Sequence, residues 1–83
     1  MLYRIVEAKA LQSYRLWVRF EDGVEGQVDL SELAGKGVFR AWQEPGIFDQ
    51  VYIDEETGTV AWPGGLDLAP DGLYQDIAGV AAR

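Results

Sequence analysis

The sequence predicts a small α+β domain with the element order βββ-α(α)-ββ-α, in which helices pack on a mostly antiparallel sheet. Strand-like and helix-like segments occur in separate runs instead of alternating, and each run of strands contains a hairpin signal. The chain has 83 residues, of which 48% are hydrophobic. We therefore expect residues 1–83 to form a single domain around one core.

The first run contains three predicted strands, at residues 3–8, 14–20 and 24–30. Apolar residues alternate with polar ones in the last two, which is the best strand signal in a single sequence. A three-residue loop, Glu21-Asp22-Gly23, pairs Phe20 with Val24 and keeps the apolar residues on one face, whereas a two-residue loop would mix apolar and acidic residues there. We therefore expect Gly23 in the left-handed conformation of a bulged turn.

Two short helical segments are predicted next. Ser31 is expected to cap a helix that continues through Ala34. Residues 38–43 form a second helical stretch, which Pro45-Gly46 ends, and Phe48 is expected to anchor the following loop. Helical spacing brings three apolar residues of the second stretch to one side: Val38, Phe39 and Trp42.

A second hairpin follows. Ile53 is predicted to pair with Val60, and Val51 with Trp62, because this register places all four apolar residues on one face. The intervening loop then has four residues, 55–58, which is an ordinary hairpin length.

The last predicted element is a helix. Pro63-Gly64-Gly65 cannot continue the strand before it, and Pro70 suits the first turn of the helix. Its apolar residues form one stripe, which consists of Leu73, Tyr74, Ile77 and Ala78.

Charge is distributed unevenly along the chain. Residues 1–40 contain six basic and six acidic residues, whereas residues 41–83 contain one basic residue, Arg83, and eight acidic ones. The net charge of −7 therefore belongs to the second half. Such a surface repels nucleic-acid phosphates and anionic membranes and favours a basic partner. The alternative interpretation is an acidic surface that serves solubility.

No targeting or membrane-spanning segment is predicted. The first ten residues lack the charged and apolar regions of a signal peptide. No run of about 18 apolar residues is present. We expect a cytoplasmic protein without membrane association.

The residues needed for catalysis are largely missing. The chain has no histidine and no cysteine, which removes the commonest general base and thiolate chemistry. Ser13 and Ser31 do not lie on a nucleophile elbow. Asp67 and Asp71 flank a helix start, where negative charge favours the helix, and no carboxylate cluster has calcium-loop spacing. We predict no enzymatic activity, no cofactor and no metal site.

Arg15, Trp17 and Arg19 alternate with the apolar residues of the second strand and should occupy its opposite face. A tryptophan between arginines on an uncovered face has the composition of an interface hot spot. In the other interpretation, Trp17 packs beneath the helices and the arginines extend around it to solvent.

Four segments carry a family resemblance: Phe20-Glu21-Asp22-Gly23, Val28-Asp29-Leu30, Phe48…Val51 and the run from Trp62-Pro63-Gly64-Gly65 to Leu73-Tyr74. They resemble the bacterial family catalogued as domain of unknown function 2442, over about residues 3–76. The specific part is the arrangement Trp-Pro-x-Gly-x-Asp-x-x-Pro-x-x-Leu-Tyr. The resemblance implies a small α+β domain without an assigned activity, and no catalytic residues. Some relatives carry a following helix-turn-helix module, and others are encoded beside a small partner protein, as in toxin–antitoxin pairs.

Two hypotheses about function follow. The first is a protein-interaction module, antitoxin-like or a regulatory subunit, that binds a basic protein encoded nearby. Its candidate contact residues form two sets, Arg15, Trp17 and Arg19, and Asp67, Asp71 and Tyr74. The second is a small-ligand sensory domain derived from a transcriptional regulator, with a pocket in residues 62–74. Direct nucleic-acid binding is not expected, because the charge opposes it and the chain ends at Arg83 without room for the DNA-binding module; a homodimer stays open.

Overall fold

The computed structural model describes residues 3–81, and their side chains as far as Ile77. Sheet A consists of β1 (Ile5–Ala10), β2 (Arg15–Phe20) and β3 (Glu25–Asp29), and sheet B of β4 (Tyr52–Asp54), β5 (Thr59–Trp62) and β6 (Leu66–Leu68). Both sheets are antiparallel and run in chain order. The helices are α1 (Ser31–Ala34) and α2 (Pro70–Ala81), with 3₁₀ segments at Gln12–Tyr14, Gly37–Gln43 and Phe48–Gln50. This architecture confirms the predicted α+β class.

Sheet A has the predicted register between its second and third strands. Leu16 lies opposite Val28, and the amide of Phe20 donates to the carbonyl of Val24 at 2.8 Å. Gly23 has φ +93°, the left-handed conformation that the three-residue loop requires. The pairing of β1 with β2 contains an irregularity between residues 5 and 7 that the sequence did not predict.

Sheet B has one strand more than predicted. Ile53 lies opposite Val60, as expected, and the loop between them spans residues 55–58. Gly64 and Gly65 have φ values of +96° and +85° and reverse the chain, so that β6 pairs with β5. The glycines end β5, as expected, but the turn that they form leads into a third strand, β6.

The helices depart from the sequence prediction in two places. Ser31 is not the cap of α1, because Leu30 occupies the cap position without a side-chain hydrogen bond. The carboxylate of Asp29 instead accepts a hydrogen bond from the Ser31 amide at 2.9 Å. The second stretch is a 3₁₀ helix in which Trp42 is buried but Val38 is 68% exposed, so Val38 does not share its apolar side.

Helix α2 begins at the predicted proline and contributes two residues to the core. Leu73 and Ile77 are buried in the core, whereas the side chain of Ala78, also predicted for this stripe, lies outside the described part. Ile77 packs on Gly26 of β3. The helix therefore covers the apolar side of sheet A.

One core joins the two sheets. Trp42 lies 4.7 Å from Trp62 between ring centroids, and Phe48 stacks on Trp62 at 5.7 Å. The Trp62 indole N–H donates to the buried Phe48 carbonyl at 2.9 Å. Phe48 thus anchors its loop, as predicted. The amide of Ile5 donates to the carbonyl of Gly58 at 2.9 Å and links sheet A to the sheet B hairpin.

Candidate interaction surfaces

The outer face of sheet A, opposite the core, has Trp17 at its centre. Trp17 lies between Lys9 and Gln27 in the strand register. It belongs neither to the buried core nor to the partly buried residues that pack against the core. The Lys9 ammonium lies 5.8 Å from the Trp17 ring centroid, within cation–π distance. The structure therefore places Trp17 half-buried on the outer face and not beneath the helices that contribute to the core.

The two arginines beside Trp17 have acidic neighbours on the same face. Arg19 lies opposite Glu7 and Glu25, and its guanidinium forms an ion pair with Glu7. Arg15 lies opposite Asp29. Together with Lys9, the face carries three basic and three acidic side chains. It is therefore a neutral surface with a central tryptophan.

The second predicted set, Asp67, Asp71 and Tyr74, is not held together by contacts among its members. Asp67 lies in β6 opposite Ala61, Asp71 lies in the first turn of α2, and both are exposed. Neither forms a salt bridge or a side-chain hydrogen bond within residues 3–77. The two acids are therefore available to a partner.

Tyr74 instead contacts the first hairpin. Its ring stacks on Tyr3 at 4.1 Å between centroids and meets Phe20 edge-on at 4.9 Å. Its hydroxyl donates to the Asp22 carboxylate at 2.7 Å. This bond, followed by one from the Val24 amide, lowers the pKa of Asp22 below its ordinary value of 3.8, and the same bond raises the pKa of Tyr74 above 10.0. Tyr74 therefore has a structural role in tying α2 to the hairpin turn.

Sequence reasoning missed this contact because the two residues are 52 positions apart. The Asp22-Gly23 pair indicated a turn, and the helical stripe indicated that Tyr74 faces the protein. Neither pattern specifies which loop meets which turn of the helix. The only available signal was that an aspartate in a tight turn often accepts a nearby hydrogen bond.

The acidic residues of the second half are mostly exposed and form no ion pair among the described side chains. Seven of the eight are exposed, and Asp54 is half-buried. Among the described side chains the ion pairs are Arg4–Glu21 and Arg19–Glu7, and both lie in the first half of the chain. The negative charge of residues 41–77 is thus not neutralised by ion pairs among the described side chains.

A strained loop borders a cleft at the end of sheet A where β1 meets β2. Ser13 and Tyr14, between β1 and β2, have φ values of +60° and +58°, which are uncommon for residues other than glycine. The cleft beside them has about 540 Å³ and includes Phe48 and Asp49 in its lining. This loop conformation was not predicted from the sequence, because neither residue is a glycine.

Other kinds of site are not evident in the described region. Residues 3–77 contain no group of three or more side chains that could hold a metal ion. Of the helices described, none has the length and apolar character to cross a bilayer.

A family model described as "Protein of unknown function (DUF2442)" matches residues 5–79. The chain belongs to this family. The DUF2442 match spans both sheets and most of α2, so the outer face of sheet A and the exposed acids all lie within the family domain. No curated protein and no solved structure matches the chain significantly.

Proposed function

We propose that this DUF2442 domain is a non-enzymatic protein-interaction module, antitoxin-like or a regulatory subunit, that binds a basic partner protein. The observation that carries the proposal is the exposed acidic surface of residues 41–77, whose side chains form no ion pair within the described part of the chain. Unpaired charges of one sign steer a partner of opposite sign and contribute to specificity.

The residue inventory supports the non-enzymatic part of the proposal. The chain has no histidine and no cysteine. Asp22, the acid with a perturbed pKa in the first hairpin, is hydrogen-bonded to Tyr74 at 2.7 Å and serves the fold. The pKa of Asp29 is lowered by bonds from the Ser31 hydroxyl and amide at the start of α1, which is also a structural arrangement.

The outer face of sheet A is the second contact surface in this proposal. Trp17 offers a large apolar group, and Arg15 and Arg19 lie along the same strand. Tryptophan and arginine are enriched among residues that dominate binding energy. Because the charges of this face are balanced, it suits a partner surface of mixed character, whereas the basic partner segment is assigned to the acidic surface.

The test is a pull-down from extracts of the native host, with the product of the neighbouring gene included. We expect recovery of a basic protein whose binding weakens as salt rises, because exposed charge pairs are screened. Recovery of the chain alone, as a monomer or homodimer, would contradict the proposal.

A small-ligand sensory function is the second proposal, and the cleft beside Ser13 and Tyr14 favours it. Backbone strain next to an open cleft is a feature of ligand sites. Of the predicted pocket segment, residues 62–74, Trp62 is fully buried in the core, whereas Leu68 and Leu73 line a different groove beside α1. A thermal-shift screen tests this proposal, since a ligand that binds the folded state raises the melting temperature.

A further inference from the structure

A groove of about 390 Å³ lies between α1 and the first turns of α2. Its apolar lining consists of Ala69 and four leucines, Leu30, Leu33, Leu68 and Leu73. Leu33 and Leu68 are only half-buried, so the groove presents leucine surface to solvent. Gly72 and Asp76 of α2 complete the side that the helix forms.

The segments that build the groove carry acids and no bases. Residues 30–33 and 68–77, which supply the lining, contain three acidic residues and no lysine or arginine, the acids being Glu32, Asp71 and Asp76. Asp76 itself lines the groove, and Glu32 and Asp71 are exposed residues next to the lining residues Leu33 and Gly72 on the two helices. None forms an ion pair within residues 3–77. An apolar floor bordered by unpaired carboxylates is complementary to a segment that has leucine-like residues on one side and lysine or arginine on the other.

We propose that this groove binds a basic amphipathic helix of the partner protein. The inference rests on the proposed function and specifies where the basic partner binds and in what form. Apolar side chains at helical spacing enter a hydrophobic groove in this mode of recognition. Basic residues on the flanks of the helix then lie beside the carboxylates, which favours one orientation and increases the association rate.

Gly72 allows the groove to be blocked without damage to the fold. A Cβ atom placed on Gly72 meets nothing within 4 Å apart from its chain neighbours and the backbone of its own helix, and the residue does not have a positive φ. A larger residue therefore enters open space at the groove. It also removes a glycine from a helix, where glycine is unfavourable relative to alanine. Gly72→Leu should thus fold at least as stably as the wild type while it obstructs the binding helix.

The probe is a fluorescein-labelled peptide of about 16 leucines and lysines, arranged so that the leucines share one helix face. A scrambled peptide of the same composition is the control. By fluorescence anisotropy at about 50 mM salt, we expect the amphipathic peptide to bind about tenfold tighter than the scrambled one, and Gly72→Leu to remove that difference. Asp76→Asn should weaken binding severalfold, whereas Glu55→Gln, which removes the same charge on the sheet B hairpin, should not.

Three outcomes would overturn the groove assignment. The groove assignment fails if both peptides bind equally and Gly72→Leu does not change their binding. If that binding nevertheless weakens as salt rises, the proposed function, binding of a basic partner, still stands. A homodimer that Gly72→Leu converts to a monomer, measured by light scattering, would assign the groove to a second copy. A thermal shift by neutral apolar compounds that Gly72→Leu abolishes, without peptide binding, would assign it to a small ligand. Failure of the proposed function is detected separately, because the native-host pull-down would then recover no basic protein from either the wild type or Gly72→Leu.

Discussion

Replacement of Gly26 by alanine should destabilise the domain, although alanine is ordinarily the better residue in a strand. A Cβ atom on Gly26 would lie 2.7 Å from Cγ2 of Ile77 and 3.4 Å from its Cγ1. Ile77 is buried, and its side chain is branched at Cβ, so it has little freedom to rotate away. Helix α2 would therefore have to move away from β3.

The magnitude follows from two opposing effects. Removal of a glycine from a strand interior favours the folded state by roughly 0.5–1 kcal/mol, whereas overpacking a filled core costs about 1–3 kcal/mol. The steric effect is larger, and we expect the free energy of unfolding to fall by about 1–2 kcal/mol. For a domain of this size, each kcal/mol lowers the melting temperature by roughly 4–8 °C. Urea unfolding followed by tryptophan fluorescence measures the change, because Trp42 and Trp62 are buried in the core.

Two controls isolate the contact between Gly26 and Ile77. Gly72→Ala makes the same chemical change in open space and should stabilise the domain by about 0.5–1 kcal/mol. Ile77→Ala removes both Cγ atoms, so Gly26→Ala should be less harmful in that background, whereas Ile77→Val keeps both and should not relieve the clash. The reasoning is refuted if Gly26→Ala is as stable as the wild type, or if its effect is the same in all three backgrounds.

Three further predictions test other contacts. Gly58→Ala should reduce the free energy of unfolding by roughly 2–5 kcal/mol, because Gly58 has φ +70° and its Cβ would lie 3.0 Å from Cα of Arg4, the residue before β1; a loss below 1 kcal/mol would contradict this prediction. Trp62→Phe should be more destabilising than Trp42→Phe by about 1–3 kcal/mol, since the Trp62 indole donates to a buried carbonyl and the Trp42 indole has no partner among the described residues; equal losses in urea unfolding would argue against this. Tyr74→Phe should raise the pKa of Asp22 towards 3.8 in an NMR titration. Because the folded pKa is depressed, the wild-type contribution of Asp22 to stability is present above pH 3.8 and is lost as pH falls through the folded pKa. An unchanged Asp22 titration in the variant would show that the Tyr74 hydroxyl is not the main cause of the lowered pKa.

The local part of the fold could be predicted from the sequence. Alternation along β2 and β3 allowed only a three-residue turn, and the parity of Ile53 and Val60 fixed the second hairpin. These features depend on neighbours in the chain. The strand β6 could not be predicted in this way, because it has only three residues and its pairing depends on the left-handed conformation of Gly64 and Gly65.

For the candidate surfaces too, features set by neighbours in the chain were predicted, and features set by distant packing were not. Alternation placed Arg15, Trp17 and Arg19 on one face of β2, and the structure agrees. The ion pair of Arg19 with Glu7 depends on the β1–β2 register, which contains an irregularity that composition does not reveal. The contact of Tyr74 with Asp22 depends on the packing of α2 against a distant turn. Sequence patterns therefore identify which side of an element a residue occupies, but not the partner that it meets there.

The outer face of sheet A and the acidic surface of residues 41–77 differ in how their charges are paired. Arg15 and Arg19 lie opposite acids of the first half in sheet A, and Arg4 pairs with Glu21. Among the described side chains, no ion pair joins a base of the first half to a carboxylate of the second half. Unmatched like charges repel one another and oppose the compact state, so the acidic surface makes a net unfavourable contribution to folding of the isolated domain. A basic helix in the leucine groove would relieve this repulsion and bury Leu33 and Leu68 in the same step. A single partner would then cover the half-buried leucines and neutralise the carboxylates beside them.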